Sequence, residues 1–350
     1  MIAPKNILIV RTDRIGDVVL SLPLAELIKK HYPECKVSFL VRNYTKDILF
    51  NHPSIDNVLI LNEKNNKILL GENAKHLKNF NFDSTIVVYP TFWIAYLIFL
   101  SRIPQRIGTG YRWYSFLFNT KIYVHRKYAE KHELEFNIDL LKPFGINEQL
   151  NEQDVQFNIQ INPTSEQKIK EMLKESGINS DDFIAILHPG SGGSSVNLPI
   201  EKFKKIIELI SKNDKIKIFL TGSKEETKIC EMLKMNENIK NLAGKLNLSE
   251  LIALTNMSNI FISNSTGPLH IAAALGKNTI GFYPRILACS AKRWGPYTNK
   301  KKIFEPSINC ENCTREQCSK LDCMNSIEPR EVAEEIDRVF NLTFNKRSSS

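Results

Sequence analysis

Short apolar runs alternate with amphipathic segments along most of the chain, and this alternation predicts an α/β fold. In the second half, each apolar run leads into a segment with apolar residues on one helical face. The helix that begins near Pro199 shows this pattern with Phe203, Ile206, Ile207 and Ile210. Strands that alternate with helices form a doubly wound parallel sheet with helices on both faces. The predicted strands are Phe183–Leu187, Ile216–Leu220, Ile239–Leu242, Asn259–Ile262 and Thr279–Phe282.

The first half shows the same alternation less regularly and predicts a second sheet of the same kind. Its predicted strands are Ile7–Val10, Val37–Val41, Val58–Ile60 and Thr85–Val88. Its predicted helices are Val18–His31, Thr45–Phe50, Ala74–Phe80, Phe92–Ser101 and Glu130–Leu141. A polar segment follows from about Asn147 to Asn162 and contains a β-like stretch, Val155–Ile161.

The length of 350 residues indicates two domains, because a single core rarely grows much beyond about 250 residues. We expect an N-terminal Rossmann-like domain over residues 1–162 and a C-terminal one over residues 163–328. A helix over residues 329–342 is expected to pack back across the domains, and residues 343–350 to form a disordered tail. Two such domains place a ligand crevice at the carboxyl ends of their strands.

Composition narrows the class of protein. With 42% hydrophobic residues the chain can build globular cores, and its most apolar window, Phe92–Leu100, is shorter than the about 20 residues of a membrane span. The beginning of the chain lacks the long apolar region of a secretory signal, so a cytoplasmic protein is expected. The net charge of +9 favours an anionic partner, which could be nucleic acid or a phosphorylated lipid surface.

The segment over residues 259–277 carries the most specific chemistry. An apolar strand runs directly into Ser263-Asn-Ser-Thr-Gly-Pro-Leu-His270 and then into a small-residue helix that stops at Gly276. Such a helix start offers backbone N–H groups and the positive end of the helix dipole to an anion. Ordinary capping would explain the serine and threonine, but the combination with Gly267, Pro268 and His270 favours a phosphate site.

Three other loops are expected at the same kind of strand end. Arg11-Thr-Asp-Arg-Ile-Gly-Asp17 follows the first strand, and Asp17 either caps the next helix or acts as a general base. A Gly/Ser-rich loop over residues 190–195 offers N–H groups to phosphate oxygens. The third loop ends at Glu226, which either accepts ribose hydroxyls or stabilises the helix dipole. Neither a Walker loop nor a strand-linked Gly-x-Gly-x-x-Gly is present.

Together these motifs resemble those of the ADP-heptose:lipopolysaccharide heptosyltransferases, glycosyltransferase family 9. The resemblance runs from Ile7 to about Val339. It implies a GT-B fold, with an acceptor-binding N-terminal domain and a donor-binding C-terminal domain. The motifs, in family order and spacing, are Arg11-Thr-x-x-x-Gly-Asp17-x-x-x-x-x-Pro23, His188-Pro-Gly, Gly222-x-x-x-Glu226, Ala243-Gly-Lys245 and Ser263-Asn-x-Thr266-Gly-Pro-x-His270.

The resemblance also implies an activity: inverting transfer of a heptose from ADP-heptose to a lipopolysaccharide core sugar, without metal or other cofactor. It implies a lipid A–core acceptor, peripheral contact with the inner membrane surface and no nucleic acid. Asp17 matches the general base, and Glu226 matches the acidic position near the ribose. The expected donor-binding residues are Ser191, Gly192, Ser194, Ser195, Glu226, Ser265, Thr266, Gly267, Pro268 and His270. The expected acceptor-binding residues are Arg14, Arg102, Arg106 and Arg112.

One position departs from the family pattern. Val196 stands where the family usually has a lysine that binds the donor phosphates. The missing charge predicts a weaker donor site, another nucleotide sugar, or compensation by Lys245 or Arg285. A weakened nucleotide-sugar-binding protein is therefore an alternative function, and a nucleic-acid binder is a more distant one that lacks any RNP-like or finger-like motif.

Four of the seven cysteines form a cluster, and Cys35, Cys230 and Cys289 are isolated. Cys310, Cys313, Cys318 and Cys323 have a spacing that could hold zinc or an iron–sulfur centre, although it is not the paired spacing of a zinc ribbon. Similar cysteine-rich tails occur in the resembled family without an assigned catalytic role. We expect no metal at the active site and keep a structural metal at this cluster as the alternative.

Overall fold

The computed structural model describes residues 3–179, 181–308 and 313–347, which form two compact units. The N-terminal unit contains the chain up to residue 127 and residues 131–160. The C-terminal unit contains residues 128–130 and the chain from residue 161 onwards. The last crossing of the chain from one unit to the other therefore follows residue 160, two residues before the predicted end of the first domain at residue 162.

A parallel sheet of six strands forms the centre of the N-terminal unit. The strands are β1 (Asn6–Val10), β2 (Lys36–Val41), β3 (Asn57–Ile60), β6 (Ser84–Val87), β7 (Gln105–Thr109) and β8 (Thr120–Ile122), and a short hairpin consists of β4 (Glu63–Lys64) and β5 (Lys67–Ile68). The spatial order is β3-β2-β1-β6-β7-β8. Every pair in this sheet is parallel, in agreement with the predicted doubly wound topology.

The helices of this unit cover the sheet. They are α1 (Ile15–Val19), α2 (Leu22–His31), α3 (Leu70–Lys78), α4 (Phe92–Leu100) and α5 (Glu133–Ile138), with 3-10 turns at Asn43–Leu49, Ser115–Leu117, Arg126–Tyr128 and Asp139–Phe144. The single helix predicted over Val18–His31 is two helices. Pro23 has no N–H to donate to the carbonyl of Val19, so α1 ends there and α2 restarts the helix.

The C-terminal unit repeats the architecture. Its strands are β9 (Phe183–His188), β10 (Ile216–Leu220), β11 (Ile239–Asn241), β12 (Ile260–Asn264), β13 (Asn278–Phe282) and β14 (Lys301–Phe304). They are all parallel, in the order β11-β10-β9-β12-β13-β14. Both faces of this sheet are buried, since Phe183, Ala185 and Leu187 of β9 lie in one core cluster and Ile184 and Ile186 in another.

Eight helices of the C-terminal unit are described. They are α6 (Pro163–Glu175), α7 (Ile200–Ile210), α8 (Thr227–Leu233), α9 (Leu248–Met257), α10 (Gly267–Ala274), α11 (Ala291–Trp294), α12 (Arg315–Lys320) and α13 (Pro329–Arg347), with 3-10 turns at Leu287–Cys289 and Cys323–Ser326. Helix α13 packs on α7 and buries Val332, Ile336 and Val339 in the core. It continues to Arg347, so the segment predicted as a tail is helical over 343–347; residues 348–350 lie outside the described residues.

Five strands were not predicted from the sequence: the two-residue strands β4 and β5 of the hairpin, and three strands of the two large sheets. Edge strands β8 and β14 and the neighbouring β7 contain charged or polar residues at many positions, because the rim of a sheet is only partly covered. Conversely, the β-like stretch Val155–Ile161 forms no strand; its Phe157 and Ile159 are buried individually. None of the described helices is both long enough and apolar enough to cross a membrane.

The strand orders locate the ligand-binding edges. In each sheet the chain first builds strands to one side of the central pair and then to the other. The reversal occurs between β1 and β6 in the N-terminal unit and between β9 and β12 in the C-terminal unit. Loops that leave the carboxyl ends of such central strands line the usual ligand position.

Candidate active site

The loop after β1 contains a buried ion-pair network centred on Arg11. The Arg11 side chain is only 1% exposed, and its Nε donates to Oδ1 of Asp13 at 2.7 Å. Its Nη2 donates to Oδ1 of Asp17, which is 14% exposed. One guanidinium therefore orients two carboxylates at the switch point of the sheet.

Helix α5 supports this loop from a distant part of the sequence. Asn137 is fully buried; its Oδ1 accepts from Arg11 Nη1 at 3.4 Å and its Nδ2 donates to the carbonyl of Leu20 at 3.0 Å. Arg126 donates to the same Oδ1 at 3.2 Å and also forms an ion pair with buried Glu133. Sequence reasoning missed these residues. Glu133 and Asn137 could have been found in the sequence as two polar residues, four positions apart, on an otherwise apolar helical face.

Asp17 binds an arginine and does not cap a helix. It is the third residue of α1, whose N-cap is Arg14, and no side-chain hydrogen bond caps this helix. The carboxylate instead accepts from Arg11. This arrangement removes the capping explanation for Asp17 and leaves a partly exposed carboxylate whose orientation is set by a buried cation.

The two carboxylates of this loop have different environments. Burial raises the pKa of Asp13 to about 7, the Asp17 carboxylate adds to the rise, and Arg11 opposes it. Burial also disfavours the charge on Arg11, but the carboxylates of Asp13, Asp17 and Glu133 raise its pKa above the usual value. Arg11 is therefore a permanent cation, while Asp13 gains or loses a proton near neutral pH.

The four arginines expected at the acceptor site do not lie together. Arg14 is exposed at the N-cap of α1, the helix that contains Asp17, and Arg112 is exposed in the loop that follows β7. Arg102 precedes β7 and Arg106 is its second residue, so both lie at the amino-terminal edge of the sheet. Arg106 is also occupied structurally, because it donates to the carbonyls of Leu117 and Ile103 at 2.9 and 2.8 Å.

In the C-terminal unit, Asn264 joins the loops that follow β9 and β12. Its side chain is fully buried; Oδ1 accepts from the Leu198 N–H at 2.8 Å, and Nδ2 donates to the Pro189 carbonyl at 2.6 Å. Ser194 adds a second link, with its Oγ 2.7 Å from the Ser265 carbonyl. The predicted donor residues of these two loops are thus brought together, and Asn264 is a positioning residue that the sequence analysis did not select.

Glu226 joins the loop after β10 to the Gly/Ser-rich loop. Its carboxylate accepts from the Ser223 N–H at 2.8 Å and from the Gly192 N–H at 3.3 Å. The contact requires glycine at position 190, because a Cβ there would lie 1.7 Å from Oε1 of Glu226. Burial lowers the pKa of nearby His188, against the effect of Glu226, so this imidazole is neutral near pH 7.

The start of α10 has the features of an anion site. Thr266 is the N-cap residue and makes no side-chain capping bond; its Oγ1 lies 3.2 Å from Oγ of Ser263. Gly267 begins the helix, followed by Pro268, and His270 is buried in the first turn. Ser191 Oγ is buried without a hydrogen-bond partner among the described residues. The positive end of the α10 dipole thus lies where the sequence predicted a phosphate.

Val196 is part of the apolar core. Its side chain packs against the main core cluster of this unit and against a second one that contains Ile286, Cys289, Cys318 and Cys323. Both residues expected to substitute for the lysine have contacts of their own. Lys245 donates to the Asn241 carbonyl at 2.8 Å, and Arg285 to the Ile308 carbonyl at 3.5 Å.

Residues 313–323, the described part of the cysteine cluster, are called the cysteine segment below; this segment packs together with Cys289. Cys289, Cys318 and Cys323 are buried free thiols, and burial, with the neighbouring thiols, raises the pKa of Cys318 to about 11. Cys313 is disulfide-bonded, and Cys310 lies outside the described residues. Within the described ranges, no group of three or more His, Cys, Asp or Glu residues is arranged to hold a metal ion.

Two parallel sheets of this kind, with loops at their switch points, form the GT-B fold, which is shared with solved glycosyltransferase structures. Residues 71–324 match the model of glycosyltransferase family 9 (heptosyltransferase). Because the match extends over most of the chain, the protein belongs to this family, as the motifs predicted.

Known proteins agree with this assignment. A Haemophilus influenzae protein that carries only a provisional glycosyltransferase name is 27% identical over 306 residues, which cover 85% of this chain and 88% of that protein. Lipopolysaccharide heptosyltransferase 1 of Campylobacter coli is 25% identical over 96% of this chain and 99% of its own length. The crystal structure of a family 9 glycosyl transferase from Veillonella parvula DSM 2008 has a TM-score of 0.82 at 18% identity and covers 96% of this chain and 97% of its own.

Proposed function

We propose that this protein transfers a heptose from ADP-heptose to a sugar of the lipopolysaccharide core, with inversion at the anomeric carbon. The observation that carries the proposal is the Asp17 carboxylate, which Arg11 orients at the switch point of the N-terminal sheet. Relatives support the donor: structures of the Escherichia coli heptosyltransferase WaaC hold ADP or ADP-2-deoxy-2-fluoro heptose. Their fold is shared with this chain at a TM-score of 0.74 for the ADP structure.

The chemistry needs one base and one anion site. Asp17 accepts the proton of the acceptor hydroxyl while that oxygen attacks the anomeric carbon and the bond from this carbon to the ADP oxygen breaks. Negative charge develops on the departing diphosphate, which the N–H groups and dipole at the start of α10 stabilise. Such a single displacement requires no covalent enzyme intermediate, and we expect it to proceed without a metal ion.

Arg14 and Arg112 are the candidate contacts to an acidic acceptor, since both follow carboxyl ends of strands in the unit that carries Asp17. Exposed aromatic residues lie near Arg112: Trp113 and Phe116 follow it in the chain, Trp93 and Trp113 both pack on Phe92, and the three are 56% (Trp93), 73% (Trp113) and 67% (Phe116) exposed. Aromatic rings beside cations favour the interface of an anionic bilayer. We propose that this surface makes the peripheral membrane contact that a lipid-linked acceptor requires.

Calorimetric titration with ADP, GDP, UDP and ADP-heptose, without metal, tests the donor assignment. Selective binding of ADP and ADP-heptose is expected. Preference for GDP or UDP would indicate another transferred sugar on the same fold. Failure to bind any of these nucleotides would favour the alternative of a protein whose nucleotide-sugar site is weakened. An assay of ADP release with a lipopolysaccharide core acceptor then tests transfer itself.

Co-sedimentation with vesicles tests the membrane contact. Vesicles of phosphatidylglycerol should bind the protein more strongly than vesicles of phosphatidylcholine, and the variant Trp113→Ser/Phe116→Ser should lose most of this binding. Leu342→Ser is the matched control, because Leu342 is a 48% exposed apolar residue on α13 in the other unit. Equal binding by both variants and wild type would contradict the assigned surface.

A further inference from the structure

We propose that Arg315, in the cysteine segment, is a diphosphate-binding residue that supplies the positive charge absent at Val196. The inference rests on the proposed function, because it assumes a nucleoside diphosphate in the C-terminal unit. Arg315 lies outside the sequence motifs described above, so the inference gives the cysteine segment a part in donor binding.

The charge must come from elsewhere because position 196 faces an apolar environment. Val196 is half-buried and packs against two hydrophobic clusters, one of which includes the thiol-bearing residues Cys289, Cys318 and Cys323. An ammonium group buried among these side chains would lose its hydration without gaining a partner. The cysteine segment therefore packs against the same side of the loop as the Val196 side chain.

The cysteine segment also places the guanidinium group of Arg315 in contact with the Gly/Ser-rich loop over residues 190–195. Arg315, the first residue of α12, donates from Nη1 to the Gly193 carbonyl at 3.3 Å and from Nη2 to the Ser194 carbonyl at 2.8 Å. A guanidinium has five N–H groups, so these two bonds leave three for a ligand within the described part of the structure. Arg315 is exposed and can therefore reach an anion from solvent.

This cation is connected to the anion site by one further hydrogen bond. Ser194, whose carbonyl accepts from Arg315, places its Oγ 2.7 Å from the carbonyl of Ser265. Ser265 directly precedes Thr266, the N-cap of α10. Arg315 thus stands on the loop that contacts the helix start where the diphosphate is proposed to bind, and planar guanidinium groups are well suited to phosphate oxygens.

Binding of ADP and of adenosine to the full chain separates a phosphate contact from a structural role. Loss of a charge-assisted bond should weaken ADP binding by Arg315→Ala about tenfold to a hundredfold. Adenosine has no phosphate, so its affinity should stay unchanged. Arg315→Lys should recover most of the ADP affinity. Arg330→Ala is the matched control, since Arg330 has an 86% exposed side chain on α13 and its loss should affect neither ligand.

The outcomes are distinguishable. Unchanged ADP affinity in Arg315→Ala would overturn the inference while leaving the proposed function intact. Equal losses for ADP and adenosine would also overturn it, because Arg315 would then only support the shape of the loop. If wild-type protein binds no ADP, the proposed function fails and the inference fails with it.

Discussion

Arg11 donates a hydrogen bond to the carboxylate of Asp17 from a side chain that is almost completely excluded from solvent. Burial of a guanidinium is tolerated only where carboxylates and hydrogen-bond acceptors compensate its charge. Asp13 and Asn137 provide further partners, so Arg11 has one orientation and transmits it to Asp17. The proposed base is therefore held by a network that extends from β1 to α5.

Asp17→Asn should reduce turnover strongly without abolishing donor binding. The amide keeps the shape of the side chain but cannot accept the proton, so kcat should fall about 100-fold to 10,000-fold. ADP release measures turnover, and calorimetry measures ADP affinity, which should change little. Asp214→Asn removes an exposed carboxylate and serves as the control. Retained turnover in Asp17→Asn would disprove the assignment of the base.

Asp13→Asn should change how stability depends on pH. The folded-state pKa of Asp13 is raised to about 7, above the unfolded value near 3.8, so its stabilising contribution is present below pH 4 and is lost as pH rises through 7. Asparagine resembles the protonated acid but does not titrate, so the variant does not lose this stability as the pH rises. The free energy of unfolding of the variant, relative to wild type, should therefore increase between pH 5 and pH 8. Urea denaturation at both pH values measures this, and a constant difference would contradict the raised pKa.

Gly190→Ala should disturb the Gly/Ser-rich loop. The new Cβ would lie 1.7 Å from Oε1 of Glu226, so the carboxylate must leave its bonds to the N–H groups of Ser223 and Gly192. We expect a loss of about 1–3 kcal/mol in stability and weaker ADP binding.

A double-mutant cycle tests this explanation. In a Glu226→Ala background the clash is absent, so Gly190→Ala should cost less than in wild type. Gly71→Ala is the control, because a Cβ at Gly71 meets nothing within 4 Å. An equal cost in both backgrounds would show that the carboxylate of Glu226 is not what requires glycine at position 190.

The free thiols should react slowly in the native protein. Burial raises the pKa of Cys35 to about 11, of Cys230 to about 12 and of Cys318 to about 11, so few thiolates exist at pH 8. Ellman's reagent should therefore label these residues slowly in buffer and rapidly in urea. Glu72→Cys places a thiol at an exposed helical position and should react at once. Rapid labelling of the native protein that lacks this added cysteine would contradict the burial of Cys35, Cys230 and Cys318.

Sequence patterns alone determined the two-domain α/β class and the central strands. Strands such as β1 and β9 are buried on both faces, so they consist of unbroken apolar runs that any periodicity analysis detects. Polar residues immediately after such runs must lie at the carboxyl edge of the sheet. For this reason the start of α10 is a candidate phosphate site on sequence grounds, whereas the role of Asp17 as a base was implied by the family resemblance.

The tertiary structure decided which of the remaining residues lie close together. Arg106 and Arg112 are close in sequence, yet β7 places one at its amino end and the other beyond its carboxyl end. This strand was missed because it carries polar residues near the rim of the sheet. Likewise, the contacts of Val196 and Arg315 depend on a segment more than 100 residues away. Local periodicity reports which face of an element is buried, whereas the partner that buries it is set by packing between distant segments.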